Sequence, residues 1–354
     1  MKIIHCSDIH LDSKMEANLS AAQGLERNSE ICVTFGRMAA FAREQGAAAV
    51  LIAGDLFDGG RVSARTVDFV LDTIRRASGV EFLYLRGNHD EADPFAGLEL
   101  PDNLITFGPE WTSRRYGDVT ISALEPEDWL GMYDSLTLDP GAVNIVMLHG
   151  QISTQPGEEL IALPKLRGKH IRYLALGHIH SYSTGALDPE SEYCYCGCLE
   201  GRGFDECGEK GFVLLDIHDG SLSHEFIPFA ARQLYDVPVD ISELTTVSQL
   251  RQAMEDAAAG IGADALVKFT LTGTYTLETQ KDLRFLKKSM EPLFWFVKIK
   301  DESRLHIDKE SYEHDISLKG EFIRLVMASD RSEEEKAQII CCGIQALSGE
   351  EVVL

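Results

Sequence analysis

Ala49-Val-Leu-Ile-Ala-Gly-Asp-Leu-Phe-Asp58 is the stretch on which the fold turns. From Ala49 to Ala53 it is uniformly apolar, too uniform for a strand with one wet face. It therefore reads as a strand covered on both sides. The run stops at Gly54, and a carboxylate, Asp55, follows at once. At the carboxyl ends of such strands, polar side chains can converge on a ligand without disturbing the core.

The same ending recurs along the chain. Ile3 to Cys6 leads into Asp8 and His10, which point the same way if the backbone is extended. Phe82 to Leu85 ends in Gly87-Asn88-His89-Asp90, Val143 to Leu148 in His149-Gly150, and Tyr173 to Leu176 in Gly177-His178-Ile179-His180. Helical spacing covers Ile31 to Arg43 (Val33, Phe35, Met38, Phe41) and Val62 to Arg76 (Val67, Val70, Leu71, Ile74). Shorter strand candidates lie at Leu104 to Phe107 and Val119 to Ala123. Others at Glu192 to Cys196, Gly211 to Ile217 and His224 to Phe229 have no helices between them. Strand–helix alternation followed by strands in series predicts an α/β domain over 1–229, with two packed sheets and helices outside.

The texture changes over 230–354, which reads as a smaller α+β domain. Pro238 confines a strand beginning at Tyr235 to an edge or an end. Helices are expected over Val247 to Ala258 and Leu277 to Met290, and strands over Leu266 to Thr272 and Phe294 to Ile299. Two more helices follow from about Leu318, the last capped at Ser332-Glu333-Glu334-Glu335.

At 354 residues, two domains are the natural division. No apolar stretch is long enough to span a bilayer, and Met1-Lys2-Ile3-Ile4 shows no leader ahead of the first strand. The expectation is a cytoplasmic protein. Eight cysteines in a chain of this size are no disulfide framework. Cys194-Tyr-Cys196-Gly-Cys198 would share one strand face and suit a soft metal. The plainer reading is packing as small hydrophobes, because paired C-x-x-C spacing is missing. A formal charge of −24 speaks against a surface built to neutralise phosphates. A local basic groove or bound cations can offset it.

Collected, the strand ends supply Asp8, His10, Asp55, Asn88, His149, His178 and His180. Carboxylate, amide and imidazole ligands together suit manganese, iron or zinc. Each residue alone has a duller explanation, as a cap, a turn former or a loop residue. The joint occurrence does not, because a doubly covered sheet gathers its strand ends in one crevice.

Taken in order, Asp8-x-His10, Gly54-Asp55-x-x-Asp58, Gly87-Asn88-His89-Asp90, His149-Gly150 and Gly177-His178-x-His180 resemble the motif set of the calcineurin-like metallophosphoesterases. Ser7-Asp-Ile-His-Leu-Asp-Ser13 and Gly201-Arg202-Gly-Phe-Asp-Glu206-x-Gly208-x-Lys210-Gly211-Phe212 are similar to stretches of its SbcD/YhaO-type DNA repair exonuclease branch. The resemblance implies a four-layer α/β/β/α sandwich followed by an α+β capping domain. It also implies two divalent ions, manganese foremost, with iron or zinc as alternatives. Asp8, His10 and His180 would hold one ion and Asn88, His149 and His178 the other, with Asp55 between. Two such ions activate a water and polarise the phosphate.

By the same resemblance His89 is catalytic, stabilising charge on phosphorus or protonating the leaving oxygen. The plainer reading is a loop residue facing solvent. Asp90 is expected to hydrogen-bond the His89 ring, and Asp58 to support the ligands. The implied function is a DNA exonuclease or endonuclease in repair, paired with an SbcC-like SMC-type ATPase. A homodimer through helices between Val62 and Leu100 is a family expectation. Arg202, and Lys165, Arg167 and Lys169 with Arg172, are candidate phosphate contacts, the lysine–arginine run being otherwise a solvated loop. The last helix, with Ile339, Ile340, Ile344 and Leu347 on one side, either docks a partner or packs home. Two alternatives stand beside this function: a small-molecule phosphodiesterase or phosphatase, and a DNA-end-binding scaffold.

Overall fold

The computed structural model describes the chain except residues 14, 16–18, 60–61, 91–92, 308–311 and 348–354. The described chain forms two compact units, Met1–Leu234 and Tyr235–Leu354. The division falls slightly beyond 229, and the contacts explain why. Arg232 pairs with Glu26 and Glu30 on the first long helix, and the Gly208 N–H donates to the Leu234 carbonyl at 3.1 Å. The segment after Phe229 is thus bound into the first unit.

Two six-stranded sheets build that unit. The first runs, in spatial order, Ser221–Pro228, Gly211–His218, Lys2–Cys6, Ala49–Ala53, Glu81–Leu85 and Leu104–Thr106. The second runs Ser183–Asp188, Ser191–Tyr195, Ile171–Gly177, Val143–His149, Val119–Ala123 and Thr112–Tyr116. Ile3, Leu51, Leu83 and Val213 of the first sheet meet Ile121, Ile145, Met147 and Tyr173 of the second in one buried cluster. The opposite face of the first sheet packs under helices Ala21–Glu44 and Ala64–Arg76 through Phe35, Met38, Val67 and Ile74. The outer layer on the second sheet is thin, carrying the single-turn helices Met132–Ser135 and Leu163–Leu166. Ala49–Ala53 is buried throughout, as its composition requires.

Register decides where the strand ends fall. Cys6 pairs with Ile52 and Ala53 with Leu85 in parallel, and Gly177 pairs with His149 in the other sheet. All these strands therefore terminate along one edge, the place expected for a ligand. The first helix begins at Ala21 rather than near Ile31, because Ser20 and Gln23 form a capping box ahead of the apolar spacing.

In the second unit, a three-stranded sheet (Leu234–Asp240, Leu266–Thr272, Phe296–Asp301) packs against helices Val247–Ala257 and Leu283–Met290. Pro238 lies on an edge strand, where its missing N–H is harmless. The helix expected from Leu277 starts only at Leu283. Gln280 N–H is committed to the Thr245 carbonyl at 2.7 Å, and the Asp282 side chain caps Phe285 N–H at 2.9 Å. Helices Leu318–Met327 and Glu333–Leu347 complete the unit, with Ser332 accepting from the Glu335 N–H. No helix of the described residues is long and apolar enough to cross a membrane.

Candidate metal centre

Asp8, His10, Asp55 and His178 all follow core strands in a left-handed backbone conformation, with φ of 51°, 49°, 53° and 101°. Side chains other than glycine adopt this region at a cost of about 1–2 kcal/mol each. The turn it makes folds each side chain back across the strand ends. The glycines ahead of them answer to close approach. A Cβ on Gly54 would stand 2.0 Å from His149 Nδ1, and one on Gly177 would stand 1.9 Å from the Ala53 carbonyl oxygen. Strand–Gly–Asp and strand–Gly–His are therefore the forms that let the two sheet edges meet.

The seven predicted residues come together. Asp55 Oδ2 lies 3.4 Å from His149 Nε2 and 3.8 Å from His10 Nε2, so its carboxylate stands between the two ligand sets. On one side Asp8 Oδ1 is 3.6 Å from His180 Nε2, and His10 and His180 face each other Nε2 to Nε2 at 3.2 Å. On the other, Asn88 Oδ1 is 2.9 Å from His149 Nε2 and 3.3 Å from His178 Nδ1. Asp8–His10–His180 and Asp8–Asp55–His149 each bring ligand atoms within 4.8 Å of one another. A third such group, His10–Asp58–His89, was not expected.

The donor set fits divalent cations. His180 Nδ1 meets Glu206 Oε1 at 2.6 Å, and His149 Nδ1 meets the Ala53 carbonyl at 2.9 Å. Each of those nitrogens is assigned the proton, because its nearest partner can only accept, Arg202 Nη2 standing farther from His180 Nδ1 at 3.4 Å. The Nε2 atoms are left aimed into the cluster among carboxylate and amide oxygens, where a cation would take the place of any proton they carry. The charges agree. Burial alone would raise the Asp55 carboxyl, but His149 and then His10 hold it down to about 2. Burial pulls His149 the other way, and Asp55 overrides it, raising the ring to about 9.

His89 sits at the rim, its side chain 45% exposed, with Nδ1 3.1 Å from Asp58 Oδ1. Its carboxylate partner is Asp58, which corrects the expectation for Asp90. Asp90 is buried and accepts backbone N–H groups from Gly87, Phe57 and Leu56 at 3.0, 3.0 and 3.3 Å. Its work is to clamp the Asp55 and Asn88 loops together, and its oxygens are spent on that. Burial drives its carboxyl up to about 6.

Lys165, Arg167 and Lys169 do not line the centre. They precede Ile171–Gly177, and His178 follows the far end of that seven-residue strand, a separation of roughly 20 Å at a strand's rise per residue. Arg167 Nε donates to the Leu187 carbonyl, and Arg172 is bound to Glu190. Cys194 and Cys196 pack in the core between the sheets, and Cys198 is buried with its thiol toward the His180 carbonyl. Glu206 is the partner of His180 that residue patterns missed. It stood in the Gly201–Phe212 stretch, but its pairing with His180 follows from no spacing.

The calcineurin-like phosphoesterase family profile matches residues 1–205, more than half of the chain. The chain belongs to that family. It is a metallophosphoesterase, a hydrolase of phosphoester bonds, and the family works with a dinuclear metal site. It is 26% identical over 342 residues to the uncharacterized metallophosphoesterase YhaO of Bacillus subtilis strain 168, covering 86% of this chain and 82% of that one. It is 24% identical over 274 residues to the DNA double-strand break repair protein Mre11 of Aeropyrum pernix, covering 68% of this chain and 64% of that one. A probable cyclic nucleotide phosphodiesterase of Rhodococcus erythropolis is 25% identical over 277 residues, covering 68% of this chain and 88% of that one.

Proposed function

We propose that the chain is a manganese-dependent DNA nuclease acting in repair. One ion is held by Asp8, His10 and His180, the other by Asn88, His149 and His178, with Asp55 shared. The observation that carries the reading is Asp55 between two ligand sets with an exposed imidazole, His89, at the rim. Bound ions supply activation of a water and polarisation of the phosphoryl oxygens. Asp55 balances their charge, and Glu206 and Ala53 turn the Nε2 atoms of His180 and His149 inward. Asp58 fixes the His89 ring at Nδ1, which leaves Nε2 to serve the leaving oxygen.

DNA as substrate is supported by the relative whose name assigns it to double-strand break repair. The Tyr235–Leu354 unit is read as the capping domain. Exposed apolar side chains at Ile316, Leu318 and Leu325 support a protein partner, an SMC-type ATPase. Homodimerisation and a cytoplasmic location belong to the same proposal. A second reading, hydrolysis of small or cyclic phosphodiesters, is favoured by the charge of −24 and the Rhodococcus relative.

One assay separates them. Purified protein with manganese is offered single- and double-stranded DNA, bis-p-nitrophenyl phosphate and cyclic nucleotides. DNA cleavage is expected. Turnover of the small esters with no cleavage of any DNA, with or without an ATPase partner, sinks the nuclease reading.

A further inference from the structure

Arg202 stood in the sequence as a phosphate contact, yet its side chain is already engaged on two sides. Nη2 donates to Glu206 Oε1 at 3.0 Å, and Nη1 lies 3.6 Å from Asp58 Oδ2 and 3.5 Å from Ser13 Oγ. The remaining nitrogen, Nε, makes no hydrogen bond but is buried. The Arg202 backbone N–H donates to the other Glu206 oxygen at 2.7 Å. A guanidinium recognises a phosphate by presenting two parallel N–H groups, and this one has no pair of free nitrogens to present.

The two carboxylates it joins have other duties. Glu206 holds His180 by Nδ1, and Asp58 faces His10 Nδ1 at 3.4 Å and His89 Nδ1 at 3.1 Å. A single cation thus links the groups behind one histidine of the proposed first ion, His180, to those behind another, His10, and behind the rim histidine. The loop bearing Arg202 is anchored in turn from below. Arg27, buried in the first long helix, donates to the Gly201 carbonyl at 2.8 Å and to Glu200 at 3.0 Å.

We infer that Arg202 is a positioning residue: it clasps Glu206 and Asp58 so that the Nε2 atoms of His180 and His10 converge on one ion, and it does not bind the substrate phosphate. The inference rests on the two-ion reading of the site. Partners of this kind typically govern metal affinity by about 10–100-fold. A lysine would supply the charge without the planar fork that spans two carboxylates.

The test uses the full chain as Arg202→Ala, Arg202→Lys and Glu206→Gln. Manganese binding to the metal-free protein is followed by calorimetry. Steady-state hydrolysis of bis-p-nitrophenyl phosphate is measured at saturating manganese, and duplex DNA binding is measured across a salt series. Arg202→Ala is expected to weaken one of two manganese sites at least about tenfold, leaving the other site, the ester KM and the salt slope unchanged. Arg202→Lys should fall between. In long-range proton–nitrogen spectra of the metal-free protein, His180 should be protonated at Nδ1 in the parent and become a tautomer mixture in Glu206→Gln and Arg202→Ala.

Unchanged manganese binding with a raised KM, or a salt slope reduced by about one, would make Arg202 a phosphate contact and overturn the inference. If the parent bound no manganese, the two-ion reading would fail by itself. The His180 tautomer would still decide the clasp: an unchanged tautomer in Glu206→Gln and Arg202→Ala refutes it, and a changed one upholds it.

Discussion

The Nε2 atoms of His10 and His180 stand 3.2 Å apart, and His180 holds Glu206 through Nδ1 on the other side. His10 Nδ1 lies 3.4 Å from Asp58 Oδ1 without making a hydrogen bond. Two facing Nε2 atoms at that distance must share either a proton or a cation, and the carboxylates around them favour a cation.

Metal removal should therefore be felt in stability as well as in activity. Free manganese at a hundred times its dissociation constant adds about 2.7 kcal/mol per site that exists only in the folded protein. Thermal melts in chelator and in manganese should differ by several degrees. In Asp55→Asn and His149→Ala the shift should shrink and ester hydrolysis should fall to background. Equal melting temperatures with and without manganese would be incompatible with the site.

His89 and Asp90, adjacent in sequence, should part company when mutated. His89→Ala is expected to bind manganese normally and lose about 10²–10⁴ in kcat, the range for a positioned proton donor. Asp90→Ala should instead lose stability, because it leaves the buried N–H groups of Phe57 and Leu56 without acceptors, at about 1–3 kcal/mol each, and frees the half-buried N–H of Gly87. Urea denaturation of both variants beside their turnover tests this. A His89→Ala enzyme with normal kcat would remove the catalytic role.

Arg27 and Glu200 are a buried pair, with side chains 1% and 0% exposed and 3.0 Å apart. Glu200 also accepts from Thr34 Oγ1 at 2.6 Å and from the Ala231 N–H. Arg27→Ala should cost about 3–5 kcal/mol by stranding the Glu200 charge. Replacing both with apolar residues of similar volume should recover much of that loss. Equal destabilisation of the single and double variants in a urea cycle would show that packing, not charge, dominates.

His5 offers a pH test away from the metals. It is fully buried with Nδ1 3.0 Å from the Tyr173 hydroxyl, and burial drives its pKa from 6.5 down to about 3. The unfolded chain takes up a proton below pH 6.5 that the folded chain refuses. Its contribution is therefore intact above that pH and is lost between 6.5 and about 3, by up to about 1.4 kcal/mol per pH unit. His5→Gln should flatten the stability profile between pH 6 and 4. Identical slopes in the two proteins would rule His5 out as a source of acid lability.

Much of this was legible in the residues because it is local chemistry. The uniform run at Ala49–Ala53 could only be a doubly covered strand, and the polar endings after it, repeated on other strands, could only gather at one edge. Helix starts were less legible. The capping box at Ser20 lies ahead of any apolar period, and Gln280 and Asp282 withhold the first turn of the helix expected from Leu277.

The sequence by itself thus determined the sheet-based fold and the ligand types, since both follow from patterns within a few residues. Only the tertiary structure decided which carboxylate serves which histidine. Asp58 rather than Asp90 meets His89, Glu206 meets His180, and Arg202 is drawn in between. Those pairings join strand ends far apart in the chain, and their distances are set by sheet register and left-handed turns. Lys165, Arg167 and Lys169 show the same limit, being close to His178 in sequence yet a whole strand length from it in space.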